Sequence, residues 1–231
     1  MKKLLFRFIL LIILIILIIG GYLYISGKSL YNKKINQIGI EDKVNEIRNS
    51  EHYTTLDEVP KEYINAIIAV EDHRFYDHGP IDYIALLRAI IRNFKAKDLI
   101  EGGSTITQQV AKNLYFITDG DGADRKIAEL IVAHKLEEKY SKNEILELYI
   151  NIIYFGDGYY CVYDAAKGYF GKEPSEMNLY ECTLLAGIPN APSVYSPTVN
   201  PELAKKRQQK VIDEMVEHEY ITQQQADEII K

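Results

Sequence analysis

The first 40 residues contain no Asp or Glu, in a chain of 231 residues that holds 33 acids and 27 Lys and Arg. Six of the bases (Lys2, Lys3, Arg7, Lys28, Lys33 and Lys34) fall in that segment. Residues 41–231 are left with 21 bases against 33 acids, a net charge near −12. A body that acidic has no general attraction for a nucleic-acid backbone, which excludes bulk DNA or RNA binding. An anionic ligand would have to be held by a few locally placed bases. Cysteine is scarce: Cys161 and Cys182 leave open one disulfide or two buried thiols. Period-2 alternation is missing, so no strand is expected. There is no internal repeat, and no low-complexity tract outside the N-terminal apolar run.

That run is the longest feature present. Residues 8–27 carry no charge, and residues 10–19 are unbroken Leu and Ile. Twenty residues of helix span about 30 Å, the thickness of a bilayer hydrocarbon core. The run is longer than a signal-peptide core of about 7–15 residues, and Gly20-Gly21-Tyr22 is a poor cleavage site. It reads as an uncleaved signal anchor. Bases flank both ends, so the positive-inside rule does not orient it.

The expected organisation is a short tail (1–7), a transmembrane anchor (8–27), a polar stalk (28–54) and a mostly α domain (55–231). Helices are expected over about 60–72, 81–94, 106–116, 124–140, 142–153 and 179–187. A long helix opens at Asn200-Pro201, and a short one follows Thr222. Thr105 with Gln108, and Ser141 with Glu144, have capping-box spacing, and Asp124 is placed as a cap.

Ile64, Ile67 and Ile68 form an apolar stripe, and Glu71 falls at i+7 on the same face. A carboxylate there is either a general base or a boundary residue paired with a base such as Arg74. His73 and His78 are spaced by five, which does not put two imidazoles on one helical face. No third His is near, so structural hydrogen bonding by His78 is favoured over zinc. Gly102-Gly103-Ser104-Thr105-Ile106-Thr107-Gln108-Gln109 lets backbone approach a ligand just before a helix start, which favours an anion. It is not a P-loop, because Gly-Lys-Ser/Thr is missing. Lys112 follows on the face of Gln108. Arg125 and Glu129 stand at i and i+4. Arg207 lies within the stripe Ala204, Val211, Met215, where an Arg snorkels, pairs with an acid or binds ligand. Two acids, a neutral anion nest and isolated bases suit glycosyl transfer from a phosphate leaving group. They equally suit a glycosidase.

These residues together resemble the peptidoglycan glycosyltransferases, or murein transglycosylases, whose module also forms the N-terminal half of bifunctional penicillin-binding proteins. The resemblance spans about 55–230 and rests on five segments in order. They are Glu71 through Gly79; Gly102 through Gln109 with Lys112; Arg125 through Glu129; Lys142 through Asn151 to Gly156; and Arg207 with Val211. It implies a lysozyme-like, two-lobed helical domain whose smaller lobe dips into the bilayer. The apolar 81–94 segment reads as that element, with a buried core helix as the alternative. It implies that lipid II and a lipid-linked glycan strand are the substrates, and that undecaprenyl pyrophosphate is released with inversion. By the same resemblance Glu71 is the base and Glu129 the second acid near the donor pyrophosphate. Lys112 and Arg125 neutralise charge, and Ser104, Thr105, Gln108 and Gln109 bind phosphate and sugar. Asn151 and Arg207 join the substrate-binding set in a supporting place. No cofactor is assigned, and a divalent ion (Mg or Mn) near Glu129 and the pyrophosphate is an open expectation. The domain is expected outside the cell membrane, with penicillin-binding transpeptidases and division or elongation proteins as partners. The chain's end near 231 suggests the monofunctional form. One departure stands out: the loop 117–124 has no base, where some relatives carry one.

Overall fold

The computed structural model describes residues 2–96 and 102–230. Among them the regular structure is helical, with no strand. Helix α1 (Lys2–Gln37) is one unbroken element of 36 residues. At 1.5 Å per residue it is about 54 Å long, well beyond a bilayer core of about 30 Å. Its apolar part is solvent-exposed, as a membrane-spanning segment is in the absence of lipid. The far end of α1 and the helix after it, within the polar stalk expected over 28–54, pack on the domain. Leu30, Tyr31 and Ile35 pack on the core, and Lys34 pairs with Asp119 at 2.5 Å. Helix α2 (Ile40–Arg48) then buries Ile40 and Val44. The sequence is polar there because only one face of each helix is covered.

Gly27 is the buried residue of α1, and it lies against α6 (Ala123–Lys139). A Cβ at Gly27 would stand 2.6 Å from Ile127 Cβ and 2.8 Å from the Asp124 carbonyl oxygen. The missing side chain therefore sets how closely the anchor approaches the domain. Gly27→Leu is expected to destabilise that junction by about 1–3 kcal/mol. Thermal unfolding in detergent measures it, with Gly20→Leu as the control, because nothing lies near a Cβ there.

The domain is built from α3 (Lys61–Glu71), α4 (Tyr83–Ala96), α5 (Ile106–Tyr115), α6, α7 (Lys142–Ile152), α8 (Val162–Phe170), α9 (Leu179–Gly187), α10 (Pro192–Tyr195), α11 (Pro201–Glu217) and α12 (Gln223–Ile230). Helix α7 is central. Ile145, Leu146, Leu148, Tyr149 and Ile150 are all buried, so it is enclosed on every side. Helix α3 packs on α9 and α11, and α5 packs on α6 and α7. Helix α4 is the opposite case. Tyr83, Ile84, Leu87, Ile90 and Phe94 are exposed and only Ala89 is buried, which rules out the core-helix alternative.

Local signals explain most helix ends. Ser141 and Glu144 form a reciprocal capping box, as do Asn178 and Glu181. Thr105 accepts from the Gln108 N–H, but the Gln108 amide turns away, so that cap is one-sided. Asp124 is not a cap: α6 starts after Gly122, with Asp124 in its first turn. Helix α4 starts two residues late because Asp82 accepts from the N–H groups of Ile84 and Ala85. Helix α8 was not anticipated. It is capped by the Cys161 sulfur, a weak acceptor, and stopped by Gly171 at φ +69. Both cysteines are free and buried, and burial pushes the Cys182 thiol up to about 12.

Candidate active site

The Gly102-to-Gln109 segment and the ends of α3, α5 and α11 meet around a cleft of about 740 Å³. Glu71 closes α3 and reaches into it, its side chain 10% exposed. Each of its oxygens has one protein partner. Gln109 Nε2 donates to Oε2 at 2.8 Å, and a terminal nitrogen of Arg207 lies 3.4 Å from Oε1. The base candidate on the apolar stripe is thus held by a neutral and a cationic donor from two other helices. Arg74 is not its partner. That guanidinium is paired with Asp82.

Glu129 lines the same cleft from α6 and is almost fully buried. Arg125 donates to its Oε1 at 2.6 Å, and Lys126 lies 3.3 Å from Oε2. Arg125 also donates to Asp121 at 2.7 Å, so both its terminal nitrogens are engaged and it does not line the cleft. Lys126 does. Its ammonium lies 3.0 Å from Ser104 Oγ, joining the glycine segment to the second acid. Sequence reasoning chose Arg125 and passed over its neighbour. The available signal was the i, i+3 spacing of Lys126 and Glu129, which puts them on one face. Lys112 lines the cleft, is exposed, and has no ion-pair partner among the described residues. Lys210 does the same from α11 and was also missed.

Other expected site residues are committed elsewhere. Thr105 and Gln108 line the cleft, but both side chains donate to the Pro80 carbonyl, at 3.0 and 2.9 Å. Asn151 lies outside the lining. It pairs with the Thr54 backbone N–H and carbonyl at 2.8 and 2.7 Å, tying the chain before α3 to α7. Two of the three acids in the base-free loop 117–124 are engaged as well: Asp119 with Lys34 and Asp121 with Arg125.

A divalent ion does not fit Glu129 in this arrangement, because each oxygen already faces a cation. Among the described residues, the three groups close enough to share a metal are Asp72, His78 and Asp82. Their atoms are supplied with protein donors instead. His78 Nε2 lies 2.7 Å from Asp72, the Ile106 N–H donates to Asp72 at 3.1 Å, and Arg74 pairs with Asp82. This knot fixes the chain after Glu71 to the start of α5.

The knot makes stability depend on pH at both ends. Burial lowers the proton affinity of His78, but the Asp72 carboxylate and the Gly79 carbonyl outweigh it, so its pKa is raised. Burial works to raise Asp82, but Arg74 and the Ala85 N–H outweigh it, so its pKa is lowered. The His78 contribution is present below about pH 6.5 and is lost as pH rises through its folded value. The Asp82 contribution is present above about pH 3.9 and is lost as pH falls through its folded value. Urea midpoints against pH should lose the alkaline slope in His78→Asn and the acid slope in Asp82→Asn.

A family model described as transglycosylase matches residues 40–216. The chain belongs to the transglycosylase family. A protein of Cupriavidus necator, named provisionally as a transglycosylase, is 40% identical over 217 residues, covering 94% of this chain and 91% of its own. Penicillin-binding protein 1A of Aquifex aeolicus is 46% identical over 178 residues, 77% of this chain. This transglycosylase chain spans about a quarter of that protein's length and of the similar protein from Neisseria flavescens. A solved structure of penicillin-binding protein 1A from Haemophilus influenzae superposes with a TM-score of 0.47 at 24% identity, covering 78% of this chain and 17% of that one. The family match begins at residue 40, where α2 joins the core.

Proposed function

We propose that this transglycosylase polymerises lipid II into glycan strands at the outer face of the cell membrane. The observation that carries the reading is the placement of Glu71, oriented by Gln109 and Arg207, in one cleft with the cations Lys112 and Lys126 and with Ser104. Glu71 takes the proton from the acceptor 4-hydroxyl. That oxygen forms a bond to the donor anomeric carbon as the bond from carbon to phosphate oxygen breaks. The electron pair leaves with undecaprenyl pyrophosphate, and the anomeric centre inverts. Lys112 and Lys126 face the charge growing on the diphosphate, where fixed cations act most strongly on a transition state. Glu129 holds Lys126 and Arg125 in place.

The membrane supplies the geometry. Helix α1 is the one described helix long and apolar enough to cross a bilayer, and α4 presents a broad apolar face. Together they would hold the cleft at the lipid surface, where a lipid-linked sugar is concentrated. A transpeptidase that crosslinks the emerging strands is the expected partner. Incubating the full chain with purified lipid II tests the reading. Polymeric glycan and released pyrophosphate lipid support it, whereas inert lipid II together with digestion of isolated cell wall would assign a hydrolase instead.

A further inference from the structure

We infer that Arg207 is a positioning residue for Glu71 rather than a substrate ligand, and that Gly187 is the slot through which its side chain passes. The inference rests on the base role proposed for Glu71. Arg207 lies on the buried face of α11 with its side chain only 8% exposed, and the charged group it meets is Glu71, at 3.4 Å. Its Nε donates to the Gly187 carbonyl at 3.2 Å, and its guanidinium carbon lies 6.0 Å from the centre of the Tyr195 ring. Three elements therefore fix one side chain: α9 at its neck, α10 across its face and α3 at its tip. The next residue secures the register. Gln208 donates to the Tyr180 carbonyl at 2.9 Å and to Thr183 Oγ1 at 3.0 Å, locking α11 onto α9.

Gly187 makes the passage possible. A Cβ there would lie 3.0 Å from Arg207 Cγ and 3.4 Å from Val211 Cγ2. The glycine is at φ −79, an ordinary helical value, so backbone conformation does not require it. The space beside Arg207 does. On the far side, Gln109 occupies the second oxygen of Glu71. The Tyr149 hydroxyl is buried and without a hydrogen-bond partner among the described residues; burial first and then the Glu71 carboxylate push its pKa up, and Arg207 opposes them. With one protein donor on each oxygen, the carboxylate plane is set and a lone pair remains for the incoming hydroxyl. Lys210, one turn along α11, is exposed on the cleft and is the α11 cation open to substrate.

Steady-state kinetics on lipid II, with melting temperatures, test the assignment in Arg207→Ala, Arg207→Lys and Gly187→Ala. A misplaced base costs about 10²-fold in rate, so Arg207→Ala should lose that much kcat while KM stays within about twofold. Arg207→Lys should recover part of the loss. Gly187→Ala, which removes no charge, should lower kcat in the same direction with KM unchanged. A raised KM with kcat retained in Arg207→Ala would make Arg207 a substrate ligand and overturn the inference. So would a Gly187→Ala enzyme that melts higher and keeps full kcat, the outcome for a helical Gly→Ala with room to spare. An inactive wild-type chain would instead sink the proposed function, so the two failures are distinguishable.

Discussion

Glu71→Gln is expected to lower the rate of lipid II polymerisation by about 10²–10⁴-fold, roughly 3–5 kcal/mol of barrier. The substitution keeps the size and shape of the side chain and removes its capacity to take a proton. The helix end is unaffected, because Glu71 is held by side chains from α5 and α11 and not by a cap of its own. Binding of a donor-like phosphoglycolipid such as moenomycin should survive, since the cations that would meet its phosphate come from α5 and α6. Retained binding with lost turnover is the signature of a group needed only in the transition state. A variant polymerising within tenfold of wild type would remove the base assignment.

The second large effect is expected at the cations, measured by moenomycin titration. Lys112→Ala and Lys126→Ala should each weaken binding by about 10–100-fold, the worth of a hydrogen bond to a charged group. The loss should shrink as salt is added. Arg125→Ala should act differently. Its two terminal nitrogens are spent on Glu129 and Asp121, so its removal should reduce stability more than affinity. An Arg125→Ala effect on affinity larger than those of both lysines would reverse this division of labour.

Much of this was legible in the sequence where one residue type has one dominant use. The apolar run of α1, the Ser141 and Asn178 caps and the carboxylate on the Ile stripe of α3 are local signals, and the structure follows them. The rest depended on tertiary contacts that spacing does not encode. Residues 28–48 look like a stalk because their apolar positions are sparse, yet those few positions are the ones that pack on the core. Arg125 and Lys126 are adjacent and equally basic. Arg125 is spent on Glu129 and Asp121, while Lys126 reaches Ser104 at the cleft. Asn151 is polar within a buried helix because two backbone groups of Thr54 need a partner, a requirement visible only when residues 97 apart meet. Gly187 is legible in the sequence as a helix end and no more, since its other role is the absence of a side chain beside Arg207.

The proposed reaction is a single displacement, in which one carboxylate would activate the acceptor on one side while fixed cations receive a diphosphate on the other. The anomeric configuration of the product, read by NMR on glycan made from α-linked lipid II, tests this most directly. Uniform β linkages are the predicted result. Retained α linkages, or a glycosyl group trapped covalently on Glu71, would contradict it.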